Sequence, residues 1–379
     1  MSRVLPCPDF IGLSTRIDNE RGKHCSRWLP AIYTAGIYHE QTVRFMHPTL
    51  LEILACPACH QEAPLQAMAE VTQGDEITQG KLVCTKCAAE YPIRDGIPRF
   101  VQAEDNYCGN FGFQWQKWKE LQIDRLGGHQ LSETRFYADS RWERDWMKDK
   151  LILDAGCGAG RFTDIALIAG AKVVAMDLSE AIDACQETTR VHGKNGHYLQ
   201  ASLLDLPFKK GVFDAIYCMG VIQHTPDPKK VMTSLPALIK PGGRLAYNFY
   251  EEGIWRRLQV PKYLIRLITP HLPIGVTLAL SKFLVASLFW FTSLLAPIRK
   301  IRILNHFIPI ASTHLPELTR EQQYTWTLLD TFDWYGARYE KCQRHEHVAE
   351  MLKSVNLENV ESKPGLAWGT APKDQAEAF

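Results

Sequence analysis

Three carboxylates and one glycine-rich turn are the residues of this chain whose types and order indicate a ligand site. Asp154 ends the apolar run LILD and precedes a turn with glycine at every second position from 156 to 160. Asp177 ends a second apolar run, and Asp205 lies in a loop after a third. Glycine lets a backbone approach a ligand closely, and carboxylates accept hydrogen bonds or pair with cations. The set predicts a nucleoside ligand that carries positive charge.

The spacing of the turn separates two kinds of nucleoside ligand. A dinucleotide site has a third glycine where this sequence has Arg161, and a carboxylate at Asp154 would repel a pyrophosphate. The same carboxylate suits an ammonium and a sulfonium. Asp177 is placed to accept from both ribose hydroxyls, and Asp205 from the adenine amine. The residues therefore predict S-adenosylmethionine, with the adenine ring covered by Leu178 or Leu204.

Four cysteines in two identical pairs predict a metal site upstream of the turn. Cys56 and Cys59 form one Cys-x-x-Cys pair, and Cys84 and Cys87 form the other. Each pair directs two sulfurs to one point, so two pairs complete a tetrahedral thiolate shell suited to zinc. Because four protein ligands leave no position for water, we expect structural zinc that helps a small module fold. Four unrelated free cysteines are the alternative.

Short apolar runs that alternate with helical stretches predict the sheet that positions the carboxylates. The runs that we interpret as strands lie at 151–154, 172–177, 197–202, 212–219 and 243–250. Strands separated by helices form a doubly wound, Rossmann-like α/β fold, which binds ligands beyond the carboxyl ends of its strands. The zinc module would be a second, smaller domain.

The chain divides into four predicted segments. They are a poorly ordered extension or upstream-translated stretch at 1–47, a zinc ribbon at 48–101, an aromatic linker at 102–150, and the main domain at 151–379 with an apolar helical insert at 251–345. Trp115, Trp118, Phe136 and Trp142 of the linker either form a lid over the cofactor or pack the ribbon against the sheet.

Residues 151–250 resemble the class I S-adenosylmethionine-dependent methyltransferases in the motifs LDAGCGAGRFT, VVAMDLS, LLDLPF and FDAIYCMGVIQHTPDP. The resemblance implies a seven-stranded sheet that ends in a hairpin at LENVESK and LAWGTAP. It also implies that Met219 and Gly220 flank the methionine end of the cofactor. The positions that we expect at the cofactor are Asp154, Ala155, Gly156, Cys157, Gly158, Gly160, Asp177, Leu178, Leu204, Asp205, Met219, Gly220 and Gln223.

Residues 48–101 resemble the small zinc-ribbon proteins that activate RNA and protein methyltransferases, and related bacterial domains fused to methyltransferases. The resemblance implies a methyltransferase as the neighbour of the ribbon. We expect the loss of Cys84 to unfold the ribbon and to spare adenosine binding, unless the two domains fold as one unit.

The acceptor side of the predicted site offers three candidate bases. The resemblance places His224 at the mouth of the site, after Gln223, where the family has His or Glu. Direct displacement at the sulfonium methyl needs a base only if the acceptor has a proton to lose. His224 is the first candidate, followed by Tyr335 and Asp333. A DTFDW...RY segment like the one here helps to close the acceptor pocket in similar bacterial enzymes, although Asp330 and Asp333 also fit a solvated turn.

An apolar stretch within the insert predicts either a buried cap or a helix at a membrane interface. Sixteen uncharged residues lie between Lys282 and Arg299, fewer than the roughly 20 that span a bilayer. Peripheral contact would involve residues 254–302. The basic residues expected to face lipid headgroups are Arg256, Arg257, Lys262, Arg266, Arg299, Lys300 and Arg302.

Composition narrows the partners and the function class. With 43 Lys and Arg against 42 Asp and Glu, the formal charge of +1 favours no broad nucleic-acid surface. The start of the chain has no secretory pattern, so we predict a cytoplasmic protein, with membrane association as an alternative. A small, lipid-like or sugar-linked acceptor is the leading interpretation. An RNA or protein methyltransferase and a non-catalytic assembly protein are the alternatives.

Overall fold

The computed structural model describes residues 46–59, 64–101, 107–298, 304 and 307–373, without the side chains of residues 255 and 257. The predicted N-terminal extension, 1–47, lies outside the described residues except for its last two positions. Its predicted lack of order therefore stays a prediction.

The first sheet is the predicted zinc ribbon. Its four antiparallel strands follow one another in chain order as β1 (Leu65–Gln73), β2 (Glu76–Cys84), β3 (Glu90–Arg94) and β4 (Ile97–Pro98). A 3-10 turn at Pro48–Glu52 precedes them, capped by His47, whose Nδ1 accepts from the Thr49 backbone N–H. Leu65 pairs with Cys84 across β1 and β2, which places the start of β1 next to the turn after β2.

Three helices connect the ribbon to the main sheet, and they divide the predicted aromatic lid. They are α1 (Gly109–Lys117), α2 (Asp124–Gly127) and α3 (Leu131–Ser140). Trp115 lines the central cavity. Phe136 and Trp142 instead pack edge-on against Tyr217 in the core, and Trp118 contacts Phe332. Trp115 therefore has a position that fits the lid, whereas Phe136 and Trp142 pack within the main domain and not between the ribbon and the sheet.

The main sheet has seven strands, of which five are parallel. The parallel strands are β5 (Leu151–Ala155), β6 (Lys172–Asp177), β7 (Gly196–Gln200), β8 (Phe213–Met219) and β9 (Ile239–Asn248), and the helices between them are α4 (Arg161–Ile168), α5 (Ala181–Thr189) and α6 (Pro228–Ser234). The residues of β5, β6 and β8 are almost all buried, as expected for strands covered on both faces.

The described part of the insert contributes four α-helices before the chain returns to the sheet. They are α7 (Ile254–Arg257), α8 (Val260–Arg266), α9 (Ile274–Leu295) and α10 (Arg320–Gly336), followed by α11 (His345–Ser354), β10 (Glu358–Lys363) and β11 (Leu366–Thr370). The strand order is β10-β11-β9-β8-β5-β6-β7, with β10 and β11 antiparallel. The predicted fold class and the terminal hairpin are confirmed.

The ribbon and the main domain share one hydrophobic core. Leu50, Leu54 and Leu82 of the ribbon belong to the same buried cluster as Leu153 and Val174 of the main sheet. The boundary also contains hydrogen bonds, because the backbone N–H of Phe100 donates to the carbonyl of Gln200 at 2.8 Å. The two units therefore stabilise each other.

Helix α9 exposes large apolar side chains. Its buried side combines Thr277, Ser281 and Thr292 with Val285, Phe289 and Leu295, whereas Phe283 is 67% and Trp290 56% exposed. Within the described residues, α9 is the one helix long and apolar enough to cross a membrane, and only 22% of its most apolar window is buried. The sequence prediction of an apolar helix is confirmed, and its orientation is new.

The basic residues of α7 and α8 lie inside the fold, so the prediction that they face headgroups is wrong for those described. Arg256 and Lys262 each lie 2.9 Å from Oε1 of Glu340, and Arg266 lies 3.7 Å from its Oε2. Burial lowers the pKa of Lys262 to about 8. The Tyr263 hydroxyl also donates to Oε1 of Glu340. The side chain of Arg257, and residues 299, 300 and 302, lie outside the described part.

Candidate active site

The four cysteines of the ribbon form a cluster that fits zinc. Their Sγ atoms all lie within 4.8 Å of one another, with 3.6 Å between Cys56 and Cys87 and 3.8 Å between Cys59 and Cys84. A tetrahedron of sulfurs about 2.3 Å from zinc has edges of about 3.8 Å. The Tyr91 hydroxyl is 3.1 Å from Cys56 Sγ and can donate to a thiolate there. The donor set therefore fits structural zinc.

A cavity lies at the carboxyl ends of β5, β6 and β8. Of the predicted cofactor positions, the structure brings seven to this cavity, namely Gly156, Cys157, Gly158, Asp177, Leu178, Met219 and Gly220. This is the edge where a doubly wound sheet binds its ligand. Backbone atoms approach the cavity along the glycine turn because α4 begins only at Arg161.

Asp177 links the glycine turn to the end of β6. Its Oδ2 accepts from the Gly158 backbone N–H at 3.0 Å, and its Oδ1 accepts from the backbone N–H and the hydroxyl of Ser179 at 2.9 and 2.7 Å. Burial raises the pKa of this carboxyl. Two carboxylate oxygens offer about four acceptor positions, so Asp177 can still accept from a ribose hydroxyl.

Asp154 lies beneath the turn and does not line the cavity. Thr163 Oγ1 donates to its Oδ2 at 2.6 Å, and the residue is 2% exposed. Burial raises its pKa to about 7. Asp154 thus contacts the start of α4. Any effect of this carboxylate on a ligand would be indirect, through the glycine turn. Ala155 is buried beside it, and Gly160 faces α5.

The loop after β7 presents a different residue from the ones predicted. Leu203 lines the cavity, next to Leu178. Leu204 packs against the hydrophobic core shared with the ribbon. Asp205 is exposed, and its Oδ1 lies 3.6 Å from Lys230 Nζ. An adenine contact from Leu204 or Asp205 would need the loop to rearrange.

The segment after β8 places His224 at the cavity. Its Nδ1 lies 2.9 Å from the carbonyl oxygen of Tyr339, and since a carbonyl only accepts, Nδ1 carries the proton. In the neutral ring Nε2 is then the acceptor. Its ring packs between Phe111 and Tyr250, with centroids at 5.0 and 5.4 Å. Gln223 is fully buried behind it.

The remaining two predicted bases have different positions. Asp333 lines the cavity, and its charge interacts with that of His224, although burial raises its pKa overall. Tyr335 is fully buried, and its hydroxyl donates to the carbonyl of Pro309 at 2.8 Å. The structure therefore brings together His224 and Asp333 at the cavity, whereas the Tyr335 hydroxyl binds Pro309 within the insert.

Sequence reasoning missed several residues that line the cavity. They are Tyr107, Phe111 and Gln114 near α1, Gln122, Arg135 and Arg161 on the inner side, and Asp330 on α10. Asp330 was noted in the sequence only as a neighbour of Asp333. Arg161 carried a signal, because it follows the glycine turn directly, but the turn alone does not show where its side chain lies.

Gly156 provides a direct test of the glycine turn. Its φ is +96°, and a Cβ there would lie 2.5 Å from Val221 Cγ2. We expect Gly156→Ala to weaken binding of S-adenosylhomocysteine about tenfold or more, because either the turn or Val221 must shift. Titration calorimetry measures this, with Gly253→Ala as control because nothing lies within 4 Å of a Cβ there. Equal affinities would show that the turn does not contact the ligand.

Comparison with known proteins agrees with this geometry. Residues 153–247 match the family model described as a methyltransferase domain, and residues 47–96 match the one described as Trm112p-like protein. A ubiquinone biosynthesis O-methyltransferase of Coxiella burnetii (strain Dugway 5J108-111) is 35% identical over 103 residues, which are 27% of this chain and 44% of the relative. One of Vibrio vulnificus (strain YJ016) is 28% identical over 154 residues, 40% of this chain and 65% of the relative. The chain thus spans less than two thirds of the length of these relatives.

Two solved structures are similar at low identity. The 1,6-didemethyltoxoflavin-N1-methyltransferase of Burkholderia thailandensis, with S-adenosylhomocysteine bound, has a TM-score of 0.39 and 13% identity over 81% of this chain and 99% of its own. The magnesium protoporphyrin IX methyltransferase of Synechocystis PCC 6803 has a TM-score of 0.38 and 16% identity over 70% and 97%. The chain therefore contains a methyltransferase domain at residues 153–247 and a Trm112p-like domain at residues 47–96, which carries the four-cysteine cluster.

Proposed function

We propose that the protein transfers a methyl group from S-adenosylmethionine to a small, lipid-like acceptor. The observation that carries this proposal is the composition of the cavity. The glycine turn and Asp177 line this cavity, and His224 and Asp333 line it as well. A nucleoside-binding turn and polar side chains in one cavity fit a donor and an acceptor bound together.

The residues of the cavity suit direct displacement. When bound, S-adenosylmethionine supplies an electrophilic methyl group. The turn and Asp177 fix the position of the nucleoside, while Phe111 and Trp115 near α1 cover the cavity. Such walls exclude water and hold two reactants in line, which is the main way an enzyme accelerates this kind of transfer.

His224 is suited to take a proton from a hydroxyl or amino acceptor. Because Nδ1 is held by the Tyr339 carbonyl, Nε2 is the free acceptor of the neutral ring. Asp333 lies close enough for its charge to stabilise the imidazolium that results. This assignment is part of the proposal, with Asp333 as the second candidate base. Tyr335 is a weaker candidate than either residue because its hydroxyl already donates to the carbonyl of Pro309.

The experiment that tests the activity uses labelled methyl groups. The protein is incubated with S-adenosylmethionine labelled in the methyl group and with a lysate separated into lipid, small-molecule, RNA and protein fractions. We expect label in the lipid or small-molecule fraction, and a product heavier by one methyl group. Label in RNA or protein would favour the alternative acceptors, and no label in any fraction would favour a non-catalytic binding protein.

The proposal that the acceptor is lipid-like depends on the exposed side chains of α8, α9 and the residues that follow α8. Exposed side chains there include Leu264, Leu267, Ile268, Phe283, Trp290 and Leu294, each more than half exposed. Large apolar side chains that remain exposed indicate an interaction site. We propose that it lies in the headgroup region of a bilayer, with the neighbouring exposed Lys282 near lipid phosphates.

The position of α10 connects that surface to the cavity. Helix α10 packs along α9, with Leu328 in the cluster that holds Val285 and Phe289. The same helix presents Leu329, Asp330 and Asp333 to the cavity. An amphiphile held at the interface would therefore meet the acceptor side first. The proposed location is peripheral contact of a cytoplasmic protein with a membrane.

Vesicle flotation tests the membrane contact. We expect the protein to float with phosphatidylcholine vesicles that contain phosphatidylglycerol, and Phe283→Ser with Trp290→Ser to reduce binding about tenfold per residue, because each loses an aromatic side chain from the apolar phase. Val191→Ser is the matched control, since Val191 is 62% exposed on another surface. If the wild-type protein stays in solution, the surface does not bind lipid and the insert is only a cap.

A further inference from the structure

The lining of the cavity contains a guanidinium without a carboxylate partner. Arg161 donates through Nε to the Ser132 hydroxyl at 2.9 Å and through Nη1 to Gln122 Oε1 at 3.3 Å, and both acceptors are neutral. In the described part of the chain, no carboxylate forms an ion pair with it. Arg135 beside it differs, because Asp139 Oδ2 lies 3.2 Å from its Nε.

The acidic side chains around Arg161 do not neutralise its charge. Asp124 lies 2.8 Å from His129 Nδ1 and also accepts backbone N–H groups of α3. Asp139 is paired with Arg135. Asp330 lines the cavity with Arg161, but burial, and then the neighbouring Asp333, raise its pKa to about 8. Around neutral pH this carboxyl is therefore largely protonated and does not neutralise Arg161.

The surroundings make an unpaired cation costly. The guanidinium lies 5.1 Å from the ring of Phe162 and 5.3 Å from that of Trp326, and Leu329 lines the same part of the cavity. Burial lowers the pKa of Arg161 to about 9, so it stays charged around neutral pH. A buried charge needs an opposite charge or hydrogen bonds, and the cavity leaves room for a ligand to provide them.

We propose that Arg161, together with Asp330, is a binding site for a carboxylate of a ligand in the cavity. The guanidinium can donate to both oxygens of a carboxylate, with its Nη2 as the nitrogen that has no other assigned acceptor. The Asp330 carboxyl can donate its O–H to the same group. This inference deepens the proposed function and rests on it. The carboxylate belongs either to the amino-acid end of the cofactor or to the acceptor, and the two sources are separable.

The first arm of the test concerns the cofactor. Affinities for S-adenosylmethionine and for decarboxylated S-adenosylmethionine are measured by calorimetry with wild type, Arg161→Met and Arg161→Lys. If the site holds the cofactor, losing the ligand carboxylate weakens wild-type binding about tenfold or more, and Arg161→Met binds both ligands alike. Arg161→Lys keeps the charge and should fall between. Arg144→Met, an exposed arginine paired only loosely with Glu133, is the control.

The second arm concerns the acceptor. Benzoate and benzamide are titrated into the protein with and without saturating S-adenosylhomocysteine. If the site holds an acceptor carboxylate, Arg161→Met binds the cofactor as wild type does but binds benzoate about tenfold more weakly, with benzamide unchanged.

If neither the decarboxylated ligand nor benzoate distinguishes Arg161→Met from wild type, the carboxylate site is refuted. Absence of any S-adenosylhomocysteine binding by the wild type would instead refute the proposed function. In that case benzoate binding to the ligand-free protein still decides the role of Arg161.

Discussion

Replacing Asp177 by alanine should weaken binding of S-adenosylhomocysteine at least about 100-fold. Two effects add. The ligand loses a carboxylate that can accept charge-assisted hydrogen bonds from its ribose, each worth about 1.5–3 kcal/mol. The glycine turn also loses the acceptor that holds the backbone N–H of Gly158 and, beyond it, both the N–H and the hydroxyl of Ser179. Titration calorimetry with purified protein measures the loss.

A second variant and a control separate the loss of the ribose acceptor from the loss of the acceptor that holds the glycine turn. Asp177→Asn keeps one oxygen acceptor and should lose less affinity than Asp177→Ala. Asp205→Asn is the matched control, because Asp205 is exposed beside Lys230 and should leave affinity within about twofold of wild type. A similar loss in both positions would show that the loop after β7 closes on adenine. Normal affinity of Asp177→Ala would remove Asp177 from the site.

The sequence predicted those features of the fold that depend on local pattern. The strands β5, β6, β8 and β9 follow from short apolar runs between turns, and the sulfur cluster follows from the spacing of Cys56, Cys59, Cys84 and Cys87. Helix α5 shows a limit. Serine is a common N-cap residue, but the helix begins at Ala181 after Glu180, and the Ser179 hydroxyl donates to Asp177.

Residues whose role depends on a distant segment were not predictable. Leu204 was expected at adenine, but it packs on the shared core, and only the docking of the ribbon creates that core. The basic side chains of α7 and α8 looked like surface residues because Glu340, which pairs with them, lies more than seventy positions further along the chain.

The ribbon should be necessary for cofactor binding as well as for its own fold. Ile97 of β4 packs in one cluster with Cys157 of the glycine turn. Arg99 forms a two-fold hydrogen-bonded ion pair with Asp183 of α5, at 2.7 and 3.0 Å, and also donates to Gln200. The side-chain amide of Gln200 in turn donates to the carbonyl of Leu178 in the cavity. These contacts support the branch of the sequence analysis in which the two domains fold as one.

Cys84→Ser should therefore lower the midpoint of thermal unfolding of the whole protein by roughly 10 °C or more, in one transition, and weaken binding of S-adenosylhomocysteine. The physical reason is that a zinc site provides the folding free energy of a module with little core of its own, and this module forms part of the core behind the glycine turn. Calorimetric scans of zinc-loaded wild type and variant measure the unfolding midpoint, and titration calorimetry measures the affinity. Cys342→Ser, outside the cluster, is the control. Two separate transitions, the second with wild-type midpoint and wild-type affinity, would show that the ribbon is independent of the cofactor site.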